Sequence, residues 1–381
     1  MDLDWSPEER ALRAELRALV DEMLPPTWGH ADRDLATEES KDFSAQFCAE
    51  AARRGLLTPA WPEDVGGRGA TLWDQLVVSE ELWGSGEPRG PQYMGVNWIG
   101  PALMAVGTPE QRREHLPPIA AGRSLWCQGF SEPDAGSDLA ALRTRAVREG
   151  DVYVVNGQKV WTSYAHTAQH CFLLARTGSG DDPRQGITVL LVPMDTPGIE
   201  VRDIPSLAEH LIHEIFFTDV VVPVSCRLGD EGGAWSLIRT VLANERFGAA
   251  RHEHGSRMLD AIVEEARDLD QELHPSDWEA LGRVAAAVEA TRLLNYAAVD
   301  AAVRGAQDAG ATTSVYRAQV GLMEHLLADV FVDVLGPEAL VRESRGDMQQ
   351  TMATTSTIAA GSLEVHLNAV ARAGLGLPKA T

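Results

Sequence analysis

Apolar residues along this chain change their spacing twice, and the two changes divide it into three stretches. From Pro7 onward, Leu12, Leu16, Leu19 and Val20 recur on one helical face. Ser6 stands where an N-cap belongs, Pro7 suits the first turn, and Glu9 sits where a capping box needs it. Helical spacing continues to about residue 123, broken at "LPPTWGH", "WPEDVGGRGA" and "GSGEPRGPQ". Near Ser124 the period shortens. "GDVYVVNGQKVW" alternates and places Asn156-Gly157 between two strand-like runs, which predicts a hairpin turn there. "HCFLLART", "GITVLLVPM" and "EIFFTDVVVP" follow as strands, and the β region ends near Gly229. After Gly232 four long Ala/Leu-rich runs return to helical spacing. The expected architecture is an N-terminal α-helical domain (1–123), a middle antiparallel β domain (124–231) and a C-terminal four-helix bundle (232–381). The absence of a βαβ rhythm, and of a GxGxxG after a strand, argues against a Rossmann domain.

Composition narrows the function. Thirty-three Lys and Arg face 56 Asp and Glu, a net charge of −23, so no nucleic-acid partner is expected. No apolar run is long enough to span a bilayer, and the acidic N-terminus is unlike a signal peptide. Cys48, Cys127, Cys171 and Cys226 are scattered, as reduced thiols of a cytoplasmic protein would be.

The chemistry concentrates in two segments, Gly129-Phe130-Ser131-Glu132-Pro133-Asp134-Ala135-Gly136-Ser137-Asp138 and Asn156-Gly157-Gln158-Lys159-Val160-Trp161-Thr162-Ser163. Taken singly, Trp161 reads as a strand-end aromatic of the core and Ser131 to Ser137 as a turn. Jointly, and in this order, they resemble the acyl-CoA dehydrogenase family of flavoproteins. "WPEDVGGRG", "GTPEQRREHLPPIAAG", "HEIFFTDVVVPVSCRLGDEGGAW" and "STIAAGSLEV" extend the likeness over nearly the whole chain.

The resemblance implies FAD, held between the β domain and the bundle. Trp161 would cover one face of the isoalloxazine. Ser163 near N5, Ser131 near the pyrimidine side, Gln128 and the Phe130 backbone would line its polar edge. Ser137 would meet the pantetheine arm of a CoA thioester. Desaturation needs a carboxylate to take the α-proton while hydride leaves Cβ for flavin N5. The family places that Glu either in its last helix, where this chain has Ala360, or in an L-x-x-E-R pattern, matched here by Leu242-Ala243-Asn244-Glu245-Arg246. Glu245 is therefore the expected base, with Arg246 and the Ala360 amide on the substrate side. Glu364 is the rival base. His166, His170, His210, His213, His252 and His254 form no HExxH and have no cysteine cluster beside them, so no metal is expected.

Two departures accompany the likeness. The R-x-x-F-G-K/R motif that reaches a neighbouring subunit's FAD is missing, and His366-Leu367 replaces the usual Gln-Arg. Such losses resemble one subunit of the heteromeric acyl-CoA dehydrogenases that actinobacteria use on sterol side chains. The expected partners are an acyl-CoA or acyl-carrier-protein substrate, an acceptor resembling electron-transfer flavoprotein, and a second copy or related subunit. Competing expectations on the same fold are a flavin-dependent oxidase or oxygenase, and a subunit that holds FAD only with its partner.

Overall fold

A computed structural model describes residues 4–25, 28, 38–178, 182–207, 212–238 and 249–378. The chain forms two compact units that interleave in sequence. One joins helices Pro7–Met23 and Leu72–Gly84 to the C-terminal helices; the other joins helix Glu38–Arg53 and the helices before Ser124 to the β-sheet.

In the helical unit, Pro7–Met23 starts as its sequence predicts. Ser6 Oγ accepts from the Glu9 N–H at 3.1 Å, and Glu9 accepts from the Ser6 N–H at 2.7 Å. Leu12, Leu16 and Leu19 are buried, giving this helix its inward face. Thr71 and Asp74 form the same box at the head of Leu72–Gly84. Helices Arg251–Asp268, Pro275–Val303, Ala309–Leu335 and Arg345–Ser356 make the bundle, followed by Leu363–Ala369. Its core is Met258, Ile262, Val284, Met323, Leu327, Phe331 and their neighbours. Among the described residues, no helix is long and apolar enough to cross a membrane.

Among the described residues the sheet has eight strands: β1 Trp126–Gly129, β2 Arg145–Glu149, β3 Val152–Ser163, β4 His170–Arg176, β5 Ile187–Pro193, β6 Ile199–Asp203, β7 Ile212–Pro223 and β8 Arg227–Leu228. Their order is β6-β7-β3-β2-β4-β5-β8, with β1 beside β4. Most pairs are antiparallel, but β1 and β2 each pair parallel to β4. Those parallel pairs were not legible in the alternation. β4 and β5 are buried along almost their whole length, which is why they read as unbroken apolar runs.

Asn156-Gly157 is not a turn. The hairpin closes at Gly150-Asp151, with Glu149 opposite Val152 and Gly150 at φ 63°. β3 instead runs straight through Asn156-Gly157, where its register against β7 shifts between Val155 and Gly157. Asn156 clasps β7, donating to Asp219 Oδ1 at 3.0 Å and accepting the Asp219 N–H at 2.9 Å. Gly157 is required by close approach: a Cβ there would lie 2.5 Å from Thr144 Oγ1 and 2.7 Å from Thr144 Cα. Gly157→Ala is therefore expected to destabilise the sheet unit by about 1–3 kcal/mol. A urea melt indistinguishable from wild type would refute that packing account.

Candidate functional site

The residues expected at the flavin converge on one part of the sheet, where β1 leaves it beside the far half of β3. Gly129 lets this happen. A Cβ on it would meet Cys171 Sγ at 2.7 Å and Leu173 Cδ1 at 3.0 Å, so only hydrogen fits between β1 and β4. The chain then departs at Phe130-Ser131 and is caught by β3. The Val160 N–H donates to Ser131 O at 2.9 Å, and Lys159 Nζ donates to Phe130 O at 2.9 Å.

Trp161 stands next to this crossing and is not a core aromatic. The β3–β7 register shifts a second time between Lys159 and Thr162, and Trp161 sits in that irregularity with φ 58°. A left-handed conformation at a bulky residue costs about 1–2 kcal/mol. It turns the indole out of the sheet, leaving Trp161 62% exposed while Val160 and Thr162 are buried. Ser163 ends β3, half-buried, and Tyr164 begins a turn at φ 58°. Gln128 Nε2 is buried with no hydrogen-bond partner among the described residues. Such a donor normally finds one. An open indole face on β3, an unsatisfied amide on β1 and hydroxyls at Ser131 and Ser163 are the groups that stack a flat heterocycle and bond its polar rim. The donor set therefore fits a flavin ring.

Sequence reading missed what lies underneath. Lys159 is completely buried and pairs with Glu132 at 2.9 Å. Glu132 also accepts the Thr144 N–H at 2.8 Å and the Arg143 N–H at 2.6 Å. Burial pushes the Glu132 carboxyl up, but Lys159 and these N–H groups outweigh it and hold it below the ordinary carboxylate value. The missed signal was a lysine at an inward position of an alternating strand.

The remaining expected residues belong to other segments of the chain. Ser137 is exposed in the loop after the crossing. Ala360 belongs to the helical unit, half-buried at φ 57° before helix Leu363–Ala369. Arg317 donates to Ala359 O at 3.2 Å, and His366 Nε2 lies 3.2 Å from Ala360 O. His366 thus turns inward to brace this bend, while Leu367 is exposed. Glu364 is exposed on the first turn of its helix. Glu245, Arg246 and His210 lie outside the described residues.

The other histidines divide. His252 is buried, with Nε2 at 3.0 Å from Glu80 Oε1, and His254 is buried against Gln349 at 3.1 Å. His213 is buried beside the half-stacked ring of His166, and His170 stacks on Trp126 at 4.6 Å. Among the described residues, Glu80, His252 and Glu253 place ligand-type atoms within 4.8 Å of one another. Arg13 already occupies the other oxygen of Glu80, so a cation is supplied there by the protein itself.

If Trp161 is held out for a ligand and not for the fold, Trp161→Gly should separate the two. Glycine removes the left-handed cost and little buried area, so the ligand-free protein is expected to melt within about 1 kcal/mol of wild type. Flavin affinity should fall up to about tenfold with loss of the stacking plane. A strongly destabilised variant with unchanged flavin affinity is the opposite outcome.

Comparison with known proteins agrees along the chain. Family models described as the N-terminal, middle and C-terminal domains of acyl-CoA dehydrogenase match residues 6–123, 127–220 and 232–375. The acyl-CoA dehydrogenase FadE26 of Mycobacterium tuberculosis is 32% identical over 401 residues, covering all of both chains. FadE34 of the same organism is 39% identical over 331 residues, 86% of this chain, which spans only 45% of that longer relative. Among solved structures, the Tcur3481-Tcur3483 steroid acyl-CoA dehydrogenase superposes with a TM-score of 0.89 at 32% identity over the full length of both chains. The ChsE4-ChsE5 complex from Mycobacterium tuberculosis gives 0.87 at 30%, again over both full lengths. In fold and in sequence from end to end, the chain belongs to the acyl-CoA dehydrogenase family of flavin-dependent oxidoreductases.

Proposed function

We propose that this chain binds FAD and dehydrogenates the α,β bond of an acyl-CoA whose acyl part is bulky, in the cytoplasm. The observation that carries the cofactor assignment is Trp161, turned out of β3 at φ 58° and 62% exposed, with an unsatisfied amide at Gln128 on β1, the strand that leads into the Ser131 crossing. The bulky acyl group is supported by the steroid acyl-CoA dehydrogenase that this fold resembles over its full length. FAD, when bound, supplies the acceptor for the hydride that leaves Cβ. The protein's part is to position and to move a proton. Ser131, Ser163 and Gln128 bond the ring's rim, and Trp161 shields one face from water. Glu245 takes the α-proton. The Ala360 N–H polarises the thioester carbonyl, and Arg317 holds the Ala359 carbonyl of the same peptide unit. Ser137 and Arg246 contact the thioester substrate, and a flavoprotein carrier takes the electrons away.

An anaerobic panel of straight, branched and steroid acyl-CoAs, read by loss of flavin absorbance, tests this directly. Bleaching is expected with the bulky members first. A yellow protein bleached by none of them would remove the dehydrogenase reading and favour an oxidase or oxygenase.

A second reading has its own support. The chain lacks the R-x-x-F-G-K/R motif, and His366 braces the Ala360 bend while Leu367 is exposed, so neither replaces the missing cofactor contacts. The solved ChsE4-ChsE5 relative is a complex. On this reading, a related subunit completes the FAD site. A chain purified alone and colourless, turning yellow only with such a partner, would establish it; a yellow chain alone would exclude it.

A further inference from the structure

We propose that the buried Lys159–Glu132 ion pair is a positioning device for the flavin rim, setting the direction in which the Ser131 N–H and hydroxyl are presented. This rests on the assignment of Gln128, Ser131 and Trp161 as flavin contacts.

Lys159 shows no exposed surface, and Glu132 is 7% exposed. Taking two charges out of water costs several kcal/mol per ion before their attraction offsets it. An apolar side chain of similar length would fill the space without that cost. What it could not do is hold a carbonyl. Lys159 Nζ bonds Phe130 O at 2.9 Å, and that oxygen belongs to the same planar trans peptide as the Ser131 N–H. Fixing the oxygen toward Lys159 sends the N–H the opposite way. The next peptide is fixed too, because the Val160 N–H holds Ser131 O at 2.9 Å. With the peptides on both sides of Ser131 pinned, the direction of its Cα–Cβ bond is set, and only the χ1 rotamer remains to aim the hydroxyl.

The ammonium is itself anchored. Glu132 Oε1 accepts both Lys159 at 2.9 Å and the Thr144 N–H at 2.8 Å, while Oε2 accepts the Arg143 N–H at 2.6 Å. A chain of bonds thus runs from the segment before β2, through Glu132 and Lys159, to the Phe130 carbonyl and the rim of the site. Neither charged residue is placed to touch the ring, so both act through Ser131.

Lys159→Met alone strands a buried carboxylate, so the deciding variant is K159M/E132Q, which removes both charges and keeps an acceptor for the Thr144 N–H. The folded double variant is expected to bind FAD about tenfold more weakly by flavin fluorescence. Its bound-flavin absorption band should shift toward that of free FAD. A lowered melting temperature with wild-type FAD affinity and spectrum would overturn the inference, because the pair would then serve folding alone. If the double variant does not fold, Glu132→Gln decides: a weaker complex with an altered band supports the inference, and an unchanged one overturns it. Wild-type protein that takes up no FAD, alone or with a partner subunit, would overturn the flavin assignment itself, and this inference with it.

Discussion

Glu245→Gln is expected to yield a folded, yellow protein that no acyl thioester bleaches, with the reductive rate constant down by roughly 10²- to 10⁴-fold. The amide keeps the size and polarity of the carboxyl but cannot accept a proton from Cα. Flavin uptake should be unchanged, because the rim contacts assigned above lie on β1, β3 and the segment between them. Glu364→Gln is the matched control. Glu364 is exposed on the first turn of helix Leu363–Ala369, and its loss is expected to leave bleaching within about twofold of wild type. The reverse pattern, with Glu245→Gln active and Glu364→Gln dead, would move the base to the last helix. Stopped-flow absorbance under anaerobic conditions distinguishes the two, and urea melts of both variants exclude loss of fold.

The largest stability effect is expected at Arg251→Met. Arg251 and Glu324 form a buried pair, Nη2 to Oε1 at 2.7 Å and Nε to Oε1 at 3.0 Å, with side-chain exposures of 8% and 0%. Gln349 donates to Glu324 Oε2 at 2.7 Å, and the guanidinium lies 5.0 Å from the Trp83 ring. Burial pushes the Glu324 carboxyl up, but Arg251, His254 and Gln349 outweigh it, so it ionises below the ordinary range. Removing Arg251 leaves that carboxylate buried without its main cation, at a cost of about 3–5 kcal/mol. The double variant R251M/E324Q should recover much of this loss, since no unpaired charge remains. Additive losses in the two single variants would show that the residues do not act as a pair. The sign of the pH dependence follows from the same shift. A depressed carboxyl contributes stability that is present above its unfolded value, near 4.5, and is lost as pH falls through the folded one. In Glu324→Gln the acid limb of the melting curve should flatten below about pH 4.5.

Much of the fold was legible because its elements are decided locally. A capping box needs only residues three apart, so Ser6 and Glu9 announced the start of their helix, and the structure forms that box. The apolar runs of β4 and β5 announced strands, and burial along almost their whole length explains why those runs are unbroken. The short strands β1, β2 and β6 were not legible, since four or five residues carry too little periodicity to stand out.

For the candidate site the sequence offered residue types and no geometry. Gln128, Phe130, Ser131 and Trp161 could be singled out because two motifs stand in a known order, but nothing local says that Trp161 is turned outward. That depends on a register shift against β7, some fifty residues downstream, where His213 pairs with Thr162. Asn156-Gly157 failed as a turn for the same kind of reason: Thr144 and Asp219, distant in sequence, close around it. The pairing of Lys159 with Glu132 likewise needs Phe130 and Thr144 already in place.

The sequence by itself determined the order of helical and β segments, the helix starts and the family likeness, because propensity, capping and motif spacing act between near neighbours. Only the tertiary structure decided the interleaving of the two units, the bulges that aim Trp161 and accommodate Gly157, and the burial of Lys159 with Glu132. Those are fixed by register and desolvation, and both depend on which distant strand or carboxylate a residue meets.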